Sequence, residues 1–356
     1  MQKSNRLIGI DLSYTIALLG TVFYIYLFAT NRFAIRAGVL SHSWNILALD
    51  FFPALFFFLN GTTISLTMRD RKVSSRKLLS YLIKRGMFLL VMGLAVCYIW
   101  PMNVFVTIGL FYSLAPNIVQ WNNAILRFLI IAGLFMAHGL LYLHVPNSIG
   151  FTLPEIHGGG LIDLTGFAFF NGYFSVLPWM LFFIAGLIFG RGEIRPMGWL
   201  PPSSLIGIAI IVFGAFLQFI LVKKDDTFLD LMRFDNVLMN FRLLMPAFFC
   251  IAIGASVVLI NATNYLFKVF ELRKVVKYAS LISSMKYSIL LFQLIISLFI
   301  MTLTPGAFFS NKTVLLSYVF GATFITFYLA ILWNNKISNK GPLEWTFKRI
   351  SGSAKK

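Results

Sequence analysis

The sequence predicts an all-α protein, a polytopic membrane helix bundle of about ten transmembrane helices with both termini cytoplasmic. Three observations predict it. Of 356 residues, 59% are hydrophobic and only 12% are charged, whereas a soluble domain is about a quarter charged. The apolar residues come in runs of about 20, the length that crosses a bilayer as a helix. The basic residues punctuate these runs instead of forming a patch, so the net charge of +18 points to membrane orientation and not to nucleic acid.

The runs, in order, are Leu7–Ala29, Trp44–Met68, Leu78–Ile99, Met102–Val119, Ala124–Leu143, Tyr173–Gly190, Ser203–Val222, Arg242–Asn261, Ser284–Thr304 and Thr313–Trp333. The fourth is short. The first contains Asp11 and lacks a small-residue cleavage site, so it reads as a retained span and not as a signal peptide. No repeat, low-complexity segment or linker divides the chain, and residues 1–356 read as a single membrane domain. Its longer connections are an outer loop at 144–172, a cytoplasmic amphipathic segment at 263–286 and a cytoplasmic tail at 334–356.

Charge fixes the orientation. With the N-terminus inside, 23 of the 30 lysines and arginines fall on the cytoplasmic side. The seven on the outside are Arg32, Arg36, Lys223, Lys224, Arg233, Arg242 and Lys312. A misplaced span would scramble that split. In the segment 263–286, Leu266, Val269, Phe270, Val275 and Val276 alternate with cations, the pattern of a helix lying on a membrane surface. Anionic lipid is its first reading and a phosphate-bearing cytosolic ligand its second.

The second span holds the most informative residues. An Asp deep in a bilayer costs roughly 2.5–3.5 kcal/mol, yet Asp50 lies in an apolar helix that also contains Pro53 and Gly61. His42 precedes it by eight residues, roughly 12 Å of helix. The two are too far apart to touch directly but near enough to line one cavity at two depths. As plain structure, His42 is an interfacial histidine beside Trp44, and Asp50 is half of an ion pair with another span. As chemistry, a neutral imidazole is a natural general base. Asp11 and the pair Lys84 and Arg85 lie at similar depth in the first and third spans, and an Asp11–Arg85 lock is read as structural. The other histidines, His138, His144 and His157, also fall on or near the outer side. None makes a metal-binding spacing, and Cys97 and Cys250 make no pair, so no metal is expected. No phosphate loop, dinucleotide fingerprint or nucleophile elbow is present.

The stretch His42-Ser43-Trp44-Asn45, continued by Asp50, Pro53, Phe56, Phe58 and Gly61, resembles the second span of the heparan-alpha-glucosaminide N-acetyltransferase family. Arg6-Leu7-Ile8-Gly9-Ile10-Asp11-Leu12 is similar to the opening of that family and of the wider transmembrane acyltransferase superfamily. Pro178-Trp179 through Gly186 and Gly190 resembles its later proline-tryptophan span. Gly341-Pro342-Leu343-Glu344-Trp345 resembles the C-terminus of YeiB-like bacterial inner-membrane proteins of the same superfamily. Where the family usually has Arg-Gly after the Asp, this chain has Tyr14 and Thr15.

The resemblance implies an acyl-CoA-dependent O- or N-acyltransferase in the bacterial inner membrane. It would move an acyl group, commonly acetyl, from cytosolic acyl-CoA to an extracytoplasmic glycan or lipid-linked acceptor. The family's catalytic histidine falls on His42, with Asp50 orienting it or holding the acceptor. Arg69, Arg71, Lys72, Lys84 and Arg85 would hold the donor's phosphates. Glu155, His157 and Asp163, around Gly158-Gly159-Gly160, would cover the acceptor. Membrane lipids are the expected surroundings, and a homodimer is open. A transporter or lipid flippase is the alternative, since buried charges with Pro and Gly inside spans serve it equally; no paired broken helices or repeat are evident. A catalytically inactive membrane subunit is the third reading.

Overall fold

The structure, a computed structural model, describes residues 8–35, 43–70, 75–97, 104–143, 174, 176–192, 201–223, 245–270, 273–303, 312–338 and 340–350. Among these residues there are twelve helices and no strand. They are α1 (Ile8–Ile35), α2 (Ser43–Asp70), α3 (Ser75–Cys97), α4 (Val104–Ile118), α5 (Asn123–Leu143) and α6 (Val176–Arg191). Then come α7 (Pro202–Lys223), α8 (Met245–Phe270), α9 (Arg273–Ser284), α10 (Lys286–Leu303), α11 (Lys312–Lys336) and α12 (Pro342–Ile350).

Six of them, α1, α2, α3, α7, α8 and α11, are long and apolar enough to cross a membrane. The helix α10 meets that test only together with α9, from which it is bent by 72°. The helices α4 and α6 and the described core of α5 are shorter apolar helices. This is a multi-pass helical membrane protein. Aromatic side chains that water would disfavour stand on its outer faces, among them Phe128 and Phe135 of α5 and Phe213 and Phe216 of α7. In lipid such faces are at home.

The segment 263–286, expected as one surface helix, is divided. Residues 263–270, which include no Gly or Pro, are the last turns of α8, and only α9 turns aside. The outer loop 144–172 lies outside the described residues.

The chain gathers into two compact units. The first comprises Met1–Phe56, Pro196–Pro201 and Leu259–Ser353; the second comprises Phe57–Arg195, Pro202–Val258 and Ala354–Lys356. In the second unit, helices touch backbone to backbone. A Cβ added to Gly186 would run into the carbonyl oxygen of Phe58, and one added to Gly61 would run into that of Phe183. Only glycine lets α2 and α6 come this close, and such contacts hold helices together where lipid removes the hydrophobic drive. The same device joins α3 to α4 through Gly86 and Gly109, and α7 to α8 through Gly207 and Gly254.

Around the α2–α6 contact the core is aromatic. Phe57 meets Phe111, Phe174 and Trp179 with ring centroids 5.4, 6.3 and 5.3 Å away, the range that favours tilted and edge-on rings. Two polar devices close the helix ends. The Asn122 side chain accepts the Ile125 N–H at 2.8 Å, capping α5. The Arg191 guanidinium donates to Asn123 Oδ1 at 2.7 Å and to the Val119 carbonyl just past α4 at 2.8 Å, placing a cation at the negative end of that helix.

In the first unit, the α1–α2 contact sets Gly20 against the Phe52 ring. Deeper along α1, the Tyr26 hydroxyl lies 2.7 Å from Thr326 Oγ1 of α11 and donates to the Gln293 carbonyl of α10 at 3.3 Å. One hydroxyl thus joins three helices.

Gly186→Leu should destabilise the detergent-purified protein by ~1–3 kcal/mol, because the new side chain must displace backbone. Gly321→Ala, where nothing lies within 4 Å of the new Cβ, should raise stability by ~0.5–1 kcal/mol, since Ala is the better residue inside a helix. Thermal unfolding of the two variants beside the parent checks both.

Candidate functional site

The contact residues of α1 sit on two nearly opposite stripes. Gly9 and Ser13, one helical turn apart, share one; Asp11, Tyr14 and Thr15 share the other. The first stripe meets the end of α8. The Gly9 N–H donates to Asn264 Oδ1 at 2.9 Å, and the Thr263 hydroxyl donates to the Gly9 carbonyl at 3.0 Å while standing 3.1 Å from Ser13 Oγ. The second stripe meets the bend between α9 and α10. Ser283 Oγ donates to Asp11 Oδ1 at 2.7 Å, and Lys286 Nζ donates to the Tyr14 hydroxyl at 2.8 Å.

Both groups flank the bend. Ser283 is the last residue but one of α9 and Lys286 begins α10, with Ser284 and the fully buried Met285 between them. Lys286 is only 9% exposed and Asp11 5%. The ammonium lies 4.0 Å from the centroid of the Tyr14 ring and 5.3 Å from that of Tyr287. It therefore has an acceptor and two aromatic faces, which is how a desolvated cation is accommodated.

The C-terminal helix completes the cluster. Glu344 of α12 accepts the Tyr287 N–H at 2.8 Å and the Ser288 N–H at 3.4 Å through Oε1. Its other oxygen accepts the Ser288 hydroxyl. These are the open donors at the start of α10, where the helix dipole favours an anion. Ser288 Oγ in turn accepts the Leu343 N–H at 3.1 Å. Gly341 is required here, because a Cβ would collide with Ser288 Oγ and the Glu344 carboxylate. The Gly341-Pro342-Leu343-Glu344-Trp345 motif is thus a helix cap supplied from far along the chain.

Of the residues expected from sequence to form a site, Asp50 is 5% exposed. It opens a stretch of α2 in which Ala54–Asn60 are all buried. Asp11 accepts a hydrogen bond from Ser283 Oγ. Arg85 lies with its guanidinium 5.0 Å from the Tyr112 ring centroid. Tyr112 donates to Asn60 Oδ1 at 3.2 Å. Its neighbour Lys84 is exposed. His42, Arg71, Lys72, Glu155, His157 and Asp163 lie outside the described residues, as does the side chain of Arg69. Among the described residues no group of three His, Cys, Asp or Glu side chains could hold a metal ion.

Sequence reading missed Lys286, Ser283, Tyr14 and Glu344 as parts of one cluster. The available signal was depth: Lys286 stands two residues into the ninth apolar run, as Asp11 stands just inside the first.

Glu344→Ala should lower stability by ~1–3 kcal/mol, since the α10 donors lose a charged acceptor, and Glu344→Gln should lower it less. Tyr14→Phe, which keeps the ring but removes the acceptor from Lys286, should cost ~1–3 kcal/mol. Thermal unfolding in detergent reads both. Compared with protein-family models, curated proteins and solved structures, the chain matches none.

Proposed function

We propose that the chain is a membrane acyltransferase that takes an acyl group, acetyl in the simplest case, from cytosolic acyl-CoA. The acceptor is an extracytoplasmic glycan or lipid-linked hydroxyl or amine. The observation that carries the reading is the burial of Asp50 and Asn60 at 5% and 1% exposure on α2, the helix whose sequence resembles the family's second span. A buried acid inside an apolar helix is a functional-site hypothesis by default, and here it falls on the helix that the resemblance assigns to chemistry.

In this reading His42 takes the proton of the acceptor as its oxygen or nitrogen attacks the thioester carbonyl. The carbon–sulfur bond breaks, and the leaving CoA thiolate recovers the proton from the imidazolium. Asp50 orients His42 through a water or holds the acceptor. Arg69, Arg71, Lys72, Lys84 and Arg85 hold the donor's phosphates; the exposure of Lys84 suits that task. Glu155, His157 and Asp163 cover the acceptor. At the family's usual Arg-Gly stand Tyr14 and Thr15, and the Lys286 ammonium beside Tyr14 returns a cation to that place.

The reading includes ten spans, both termini in the cytoplasm and a bacterial inner membrane. Two contacts support the topology. Ser283 with Asp11, and Glu344 with Tyr287, join segments that the charge distribution assigns to one side.

A carrier is the second reading, and the 72° bend between α9 and α10 favours it, because transporters build sites on broken helices. A donor-binding measurement separates the two. Acetyl-CoA at a hundred times its dissociation constant should stabilise the purified protein by about 2.7 kcal/mol, more than free CoA does at a matched concentration. His42→Ala should keep that shift and lose acyl transfer by ~10²–10⁴-fold. Absence of a shift with every acyl-CoA tested would reject the acyltransferase, and full transfer by His42→Ala would reject the base assignment.

A further inference from the structure

We propose that the outer faces of α9 and α12 form a surface that binds the anionic phospholipid headgroups of the adjacent membrane leaflet. Both helices belong to the first unit, and both are two-sided. The inner face of α9 buries Ala279 and Ile282, and that of α12 buries Leu343 and Phe347. Outward, α9 exposes Lys274 and Lys277 beside Tyr278, and α12 exposes Lys348 and Arg349 beside Trp345. Cations mixed with aromatic side chains on one face are the make-up of a helix at the lipid–water boundary.

Three further observations fit that occupant. The helix α9 is turned by 72° from the axis of α10, so it does not continue the span and runs aside from it. On α12 the Arg349 guanidinium lies 4.0 Å from the Trp345 ring centroid, so a cation and an interfacial aromatic are presented together. The charge is also one-sided. From Leu259 onward the only acidic residues are Glu271 and Glu344, and Glu344 is engaged at the start of α10. A small soluble phosphate would answer the cations but leave Tyr278 and Trp345 in water. A phospholipid answers both.

The test uses the full chain in a neutral detergent, titrated with short-chain phosphatidylglycerol, short-chain phosphatidylcholine or glycerol phosphate, with the melting temperature as readout. Phosphatidylglycerol should raise it saturably, and the other two should not. Added salt should weaken the effect, since exposed charges are screened. Each cation removed should weaken apparent affinity about fivefold. The combined variant Lys274→Gln, Lys277→Gln, Lys348→Gln, Arg349→Gln should therefore move half-saturation upward more than tenfold. The control Lys223→Gln, Lys312→Gln should leave it unchanged. The two halves of the combined variant, one per helix, each alter only exposed side chains and should each show part of the loss if the full combination does not purify. A combined variant that responds like the parent would overturn the proposal. So would a control that loses the response equally, and so would a glycerol phosphate shift equal to that of the lipid, which would mark a soluble-anion site.

Discussion

A polar side chain inside an apolar helix can be satisfied only by protein, because hydrocarbon supplies neither donor nor acceptor. That constraint decides how the first unit is assembled. Asp11 requires a donor and receives it from Ser283; Lys286 requires an acceptor and receives it from Tyr14. The bend at Met285 falls between the two residues that meet α1. Glu344 then fills the donors that the bend opens at the start of α10. Buried charge, broken helix and terminal motif are one structural solution.

The second unit answers a different problem. Between helices in lipid the hydrophobic drive is weak, so contact has to come from close packing. Glycines at Gly61, Gly86, Gly109, Gly186, Gly207 and Gly254 bring backbones together in three helix pairs. Large rings around Phe57 and Trp179 fill the space beside them. Thr62, Thr63 and Thr67 turn to their own helix, donating to carbonyls one turn back along α2.

Much of this was legible in the sequence, for physical reasons. Apolar run length located the helices, since burial in lipid needs a fixed number of residues. The glycines four apart at Gly186 and Gly190 were readable as a packing face, and both do press on α2. That Ser283 donates to Asp11 was not readable, since nothing local says that the end of α9 lies beside α1. The role of Glu344 was hidden in the same way. Its partners are 57 and 56 residues away, and a carboxylate that caps a distant helix looks like any other acidic residue. The second span announced itself because a buried Asp is expensive wherever it lies, and Asp50 is buried as that cost demands.

The cap on α10 also sets an order of events. During synthesis Tyr287 and Ser288 are made well before Glu344, by some seconds at ~5–20 residues per second. Through that interval α10 is present with its leading amides unanswered, and α11 is still to follow. The first unit cannot close on itself as its helices emerge one by one; it waits for α12. A ribosome stalled after α11 would leave α10 made but its fastening missing, and quality control would meet a first unit with an open end.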